Sequence, residues 1–134
     1  MPRPDANFDG LYADLTDRVI ACAVKVHETL GPGFPESVYE NALSIELEAQ
    51  GIPFARQMTI DLLYQSRVVG VHHLNMLADD KVIVELKANE QVNQADRATT
   101  LSYLKAAKKR VALILNFGQS RLDIKRIGNT EPIP

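Results

Sequence analysis

A chain of 134 residues, 46% apolar and 24% charged, has the composition of one globular domain with its own core, which excludes a disordered or low-complexity protein. Its net charge of −2 excludes a uniformly basic surface, so any contact with DNA or RNA depends on a local cluster of cations. The single cysteine, Cys22, excludes an internal disulfide; no run reaches the roughly 18 apolar residues of a membrane span, and Met1-Pro2-Arg3-Pro4-Asp5 lacks a signal-peptide core, so the expected location is cytoplasmic.

Residues 1–10 read as a flexible leader, 11–127 as the domain and 128–134 as a flexible tail. A helix is expected from about Asp14 to Leu30. Val19, Cys22, Ala23, Val26 and Leu30 recur at helical spacing, and Ile20 and Val24 widen the stripe, so the helix packs on more than one side. Cys22 then reads as a buried core thiol. Gly31-Pro32-Gly33 stops the helix by joining a C-cap glycine to a breaker. A second helix starts near Pro35, with Val38, Ala42, Ile45 and Ala49 expected inward and Gly51 as its C-cap.

The period then falls to two. Phe54 to Tyr64, Val68 to Ala78 and Val82 to Lys87 read as a meander of three strands. Val82-Ile83-Val84-Glu85-Leu86 is almost wholly apolar, as expected of a central strand covered on both faces. A charge there is costly unless paired, so Glu85 demands a reason. A third helix follows from about Asn93 to Lys108, with Ala98, Leu101 and Leu104 inward. Val111 to Phe117 reads as a buried strand and Leu122 to Ile127 as an edge strand. The order α-α-β-β-β-α-β-β predicts an α/β fold, a mixed sheet with a central antiparallel meander flanked by helices.

Glu85 and Lys87 are two apart on one strand, so they share a face. Hydrolysis of a phosphodiester needs a divalent ion held by carboxylates and a cation to orient the attacking water, and such a pair supplies part of both. Alone, a charged pair at a strand end is commonplace. Here it follows Gly33-x-x-Glu36-x-x-Tyr39 at the head of the second helix and the meander, and precedes Tyr103-Leu104-Lys105 and Leu115-Asn116-Phe117-Gly118. With Val26-His27-Glu28, Gly31-Pro32-Gly33 and Lys125-Arg126-Ile127 in the same order, the chain resembles the GxxExxY family of the PD-(D/E)XK nuclease superfamily from about Leu15 to Ile127.

The resemblance implies a PD-(D/E)XK nuclease-like core and a magnesium- or manganese-dependent hydrolase acting on DNA or RNA. Its metal ligands would be Glu36, an aspartate of the middle strand and Glu85, with Lys87 and Glu85 catalytic. The aspartate position is occupied by Asn75, and a glutamine usual in the third helix falls at Thr99. A neutral amide is a poor magnesium ligand, so the expected site is degenerate or strongly weakened.

Residue 75 shares a face with Glu85 only if the hairpin turn is odd, for instance Asp79-Asp80-Lys81 with Ala78 opposite Val82. A two-residue turn would set Asn75 opposite Val84. His73 is expected about 7 Å from residue 75 on the same face, where it would suit manganese or zinc or simply lie partly exposed, while His72 has the opposite parity. His27 is expected to cap carbonyls or pack, and Tyr39 to pack beneath the second helix with its hydroxyl bonded locally. Glu36 has an equal claim to the site and to solvent.

Three functions stay open. One is an active metal-dependent nuclease on Glu36, Glu85 and Lys87. The second is a non-catalytic nucleic-acid-binding module with a basic ridge of Lys105, Lys108, Lys109 and Arg110, helped by Arg97 and Lys125. The third is an assembly domain, a homodimer using Leu122 and Ile124 of the edge strand.

Overall fold

Two α-helices lead the computed structural model, which describes residues 10–89 and 91–130: α1 (Ala13–Leu30) and α2 (Glu36–Ala49). Next come β1 (Phe54–Arg56), β2 (Thr59–Tyr64), β3 (Arg67–His73), β4 (Met76–Ala78), β5 (Val82–Lys87), α3 (Gln94–Ala107), β6 (Val111–Asn116) and β7 (Asp123–Gly128). The helix ends follow local chemistry. Gly31, at φ 68°, ends α1 by donating its N–H to His27 O. Asn93 and Asp96 open α3 with a reciprocal capping box.

Five strands form a mixed sheet in the order β1-β4-β5-β6-β7, antiparallel except for β5 and β6, which α3 connects in parallel. The sheet is covered on both faces, which explains the apolar runs of its central strands. Val82, Val84 and Leu86 of β5, with Val111, Leu113 and Leu115 of β6, pack under α1 and α2 together with Cys22, Tyr39 and Leu43. Ile83, Ala112 and Ile114 pack on the other side with Leu104 of α3 and Ile60 of β2. Glu85 and Lys87 have the parity of Ile83. They therefore belong to the α3 face.

The first two arms of the expected meander are each broken. β1 and β4 pair within the sheet, whereas β2 and β3 form a separate two-stranded ribbon. The break lies where Gln57 adopts φ 54°, with its N–H on Asn75 O and the Leu74 N–H on Met58 O. A left-handed glutamine turns the chain out of the sheet, and no residue there announces it. Between β4 and β5 the register is the one the odd turn requires: Ala78 opposes Val82 and Met76 opposes Val84. Asp79 and Asp80 both take positive φ, and Lys81 N–H closes the turn on Ala78 O.

Three expectations need correction. α2 buries Tyr39, Glu40, Leu43, Ser44 and Leu47, whereas Ile45 is 66% exposed and Ala49 is exposed. Its inward stripe is set by Tyr39, Leu43 and Leu47 at intervals of four, one position from the expected one. In α3, Ala98 is exposed and Thr100 is buried instead. Gly128 and Asn129 are not part of a flexible tail, because Gly128 belongs to β7 and Asn129 is buried with its N–H on Arg110 O. The expected leader 1–9 and residues 131–134 of the tail lie outside the described residues.

The ends of β5 and β6 are tied together beside Lys87. Phe117 N–H bonds Lys87 O, and buried Asn116 accepts the N–H groups of Asn89 and Gly118 on one side-chain oxygen. Gly118 is pressed so closely on the preceding loop that a Cβ there would sit 2.1 Å from Asn89 O. Gly118→Ala is therefore expected to cost about 1–3 kcal/mol, by forced movement of backbone. Urea unfolding at neutral pH checks it: a midpoint equal to that of the native chain would show that the two loops are not tightly joined.

Candidate functional site

Tyr39 fixes the entrance to α2. Its hydroxyl donates to Gly31 O at 2.6 Å and accepts the Phe34 N–H at 3.2 Å, while its ring stacks on Phe117 at 4.5 Å. His27 packs against the same Phe117, and its Nε2 pairs with Gln119 O. These contacts hold the first turns of α2 over the carboxyl ends of β5 and β6. Glu36, exposed on the first turn, and Glu40, buried one turn later, are the acids it brings there.

Glu40 is the residue that sequence reasoning missed. It is 5% exposed, and both its oxygens are taken. Oε2 accepts Nε and Nη2 of Arg56 at 2.9 and 2.7 Å; Oε1 accepts Gln57 Nε2 at 2.9 Å and Asn75 Nδ2 at 3.2 Å. A bidentate guanidinium is a full counter-charge for a buried carboxylate. Phasing α2 on Tyr39 rather than Val38 would have put Glu40 on the buried face. That was the available signal.

Asn75 stands where the β4–β5 ladder stops, one residue before Met76. Its Oδ1 accepts the Leu86 N–H at 2.9 Å, the bond that the next rung of the ladder would have made. Its Nδ2 goes to Glu40, so one amide links the central strand to α2.

Glu85 is 6% exposed, with Oε1 unbonded and 3.8 Å from His72 Nε2, itself unbonded. The His72 ring stacks on Tyr103 of α3 at 3.6 Å and 10°. The sequence favoured His73 for this position. It is exposed, and His72 takes the place because the break at Leu74 and Asn75 ends the strict alternation that the parity argument assumed. Burial pushes the Glu85 carboxyl up from 4.5 to about 7; Lys87 and the Asn75 backbone N–H oppose that rise, and Glu36 and Glu40 add to it. Burial, then the charge of Lys87 and the neighbouring His73, hold His72 below its ordinary value. Glu36, Glu40, Asn75, His72, Glu85 and Lys87 thus converge on one end of the sheet.

Against this geometry, a family model described as PD-(D/E)XK nuclease superfamily matches residues 13–127. The chain belongs to that superfamily. No curated protein matches it. Superfamily members generally use divalent metals. The donors here do not suit such an ion: Asn75 presents an N–H to Glu40, Arg56 already neutralises Glu40, and no group of three His, Cys, Asp or Glu among the described residues is placed to hold a metal.

Other candidate residues of this PD-(D/E)XK domain lie elsewhere. Lys105, Lys108, Lys109 and Arg110 sit where α3 delivers the chain to Val111, which pairs with Val82 at the start of β5. Lys109 bonds Asp80 O and Oδ1 there. That end is roughly 10–16 Å of strand from Glu85 and Lys87. Thr99 is exposed on α3. Leu122 and Ile124 are half-buried against the core rather than open on the edge, and Lys125 pairs with Asp123. No helix among the described residues is long and apolar enough to cross a membrane.

The raised Glu85 value has a definite sign in stability. Below pH 4.5 the carboxyl is protonated in folded and unfolded chains alike, and its contribution is complete. Between 4.5 and about 7 only the unfolded chain releases the proton, so stability falls as pH rises. His72, depressed, acts oppositely below its ordinary value. Comparing Glu85→Gln with the native chain isolates the Glu85 part: the variant is expected to gain up to roughly 3 kcal/mol at pH 8 relative to pH 4.5. Urea unfolding at several pH values measures it, and parallel stability curves for the two proteins would contradict it.

Proposed function

We propose that this chain is a GxxExxY-type member of the superfamily whose phosphodiesterase site is degenerate. The observation that supports it most directly is the engagement of Asn75. Both polar atoms of its side chain are used internally, one on the Leu86 N–H and one on Glu40, at the position where the resemblance requires a metal-binding aspartate. Glu85 and Lys87 persist beside it as the remainder of an acid-and-cation pair. Losing the central carboxylate of a metal-dependent nuclease removes a member of a unit, and such losses cost several orders of magnitude in rate.

Asn75→Asp tests the reading. The new carboxylate keeps the Leu86 bond but faces the Glu40 carboxylate without a donor between them. Without metal it is expected to lose about 1–3 kcal/mol of stability. Magnesium or manganese then restores it by binding the folded state. Titration calorimetry is expected to show saturable binding for the variant and none for the native chain at the same metal concentration. Equal binding by both proteins would overturn the role given to Asn75 and point to another ligand set, and cleavage of DNA or RNA by the native chain with magnesium or manganese that Glu85→Ala abolishes would establish instead an active site on Glu36, Glu85 and Lys87.

A further inference from the structure

β2 pairs with β3 along one edge, and among the described residues no strand meets its other edge. The register shows which backbone groups that edge carries. The Leu74 N–H bonds Met58 O across the Thr59–His73 pair, so those two residues do not bond one another. Antiparallel ladders alternate, which places the next bonded pairs at Ile60–His72 and Leu62–Gly70. Thr59, Asp61 and Leu63 therefore turn their N–H and C=O groups away from β3. No other element among the described residues bonds them. The same three residues line a cavity of about 350 Å³ that opens between β2, the end of α3 and the β4–β5 turn. Buried Leu74 and Leu77, with Ala106 and Ala107 of α3, give it apolar walls. Its charged residues are Asp61, Asp80 and Lys109. Lys109 is already held by the carbonyl and carboxylate of Asp80, whereas Asp61 is exposed and has no ion pair among the described residues.

We propose that this edge takes up an extended segment of a partner protein as an added strand of the ribbon, with a Lys or Arg between two apolar residues. Unpaired donors and acceptors recurring at every second residue, about 7 Å apart, match the backbone of a strand rather than a small molecule. Strand alternation then fixes the pattern of side chains. The partner residue opposite Asp61 bonds its N–H and C=O and shares its outward face, so that residue supplies the cation. The residues on either side of it point the other way, toward α3, where Ile60 and Leu62 already pack. There they meet the apolar walls of the cavity, which calls for apolar side chains. Asp61 also selects among strands, because a charge on an edge discourages pairing with any strand that does not answer it. The edge lies beside Asp80, at the end of the sheet away from Glu85 and Lys87, so the inference is independent of whether the nuclease-type site is active.

Nuclear magnetic resonance of the isotope-labelled full chain tests it, with the peptide acetyl-Thr-Val-Arg-Val-Thr-amide added to about 1 mM. The expected result is saturable binding in which the amide signals of Asp61 and Leu63 move most and exchange more slowly with solvent. The same peptide N-methylated at its arginine keeps every side chain but loses the N–H that bonds Asp61 O. It should bind about fivefold more weakly. Asp61→Lys should weaken the arginine peptide by about as much and favour the peptide with glutamate in its place. Ala106 is exposed, so Ala106→Phe should fill the cavity and abolish binding while far-UV circular dichroism and Tm stay those of the native chain. No saturable binding by the native chain, or equal binding of the N-methylated peptide, would overturn the proposal. Slowed exchange at Asp61 and Leu63 that grows with protein concentration in the absence of peptide would assign the edge to a second copy instead and overturn it too.

Discussion

The places of Asn75, His72 and the bonds that hold Glu40 depend on one event, the departure of a long hairpin from the sheet at Gln57 and Asn75. Up to Met76 the chain pairs with β5; one residue earlier it has left. A backbone N–H on the central strand would then be stranded inside the protein, which is costly. Asn75 prevents this by replacing a backbone acceptor with its own side-chain oxygen. The same amide reaches Glu40, and Arg56 holds Glu40 from the other side. The turn of the chain, the position of α2 and the enclosure of Glu85 are thus coupled through one side chain.

That coupling explains why an aspartate and an asparagine at residue 75 are not equivalent even without chemistry. Both accept from Leu86, but only the amide can also donate to Glu40. An aspartate there places two carboxylates about one hydrogen-bond length apart, an arrangement that needs a cation or a shared proton. Asn75 supplies the bridge with a neutral group. The chain's local geometry is satisfied by that choice, and its PD-(D/E)XK scaffold is retained around it.

Legibility in the sequence followed how local the determining physics was. α1 ends where Gly31 says it must, α3 begins at the Asn93 capping box, and two aspartates that tolerate left-handed backbone set the β4–β5 register. Glu85 was legible as a charge in an apolar strand. The break at Gln57 was not, because glutamine has no preference for positive φ and the strain is held by contacts across the hairpin. That single hidden turn changed which histidine faces Glu85. Glu40 was obscured differently: Val38, Ala42 and Ile45 offered a plausible apolar stripe, and only the packing of Tyr39 on Phe117 fixes the true face of α2. Partner choice across the fold, rather than residue type, decided both.

Glu85 also shows what burying an acid at this end of the sheet demands. A carboxylate in this position, ionised and without a metal, would be opposed by burial and by Glu36 and Glu40. Lys87 and the Asn75 N–H offset only part of that cost, and the carboxyl keeps its proton up to about pH 7. The proton performs the neutralisation that a metal would perform in an ionised site. On the proposed degenerate reading, Glu85 is therefore tolerated near neutrality without further rearrangement, and selection against it is weak. A carboxylate at residue 75 would instead face the Glu40 carboxylate, which Arg56 already holds from the other side. On the proposed degenerate reading, a proton at Glu85 and an amide at residue 75 are the two ways in which this end of the sheet does without a cation.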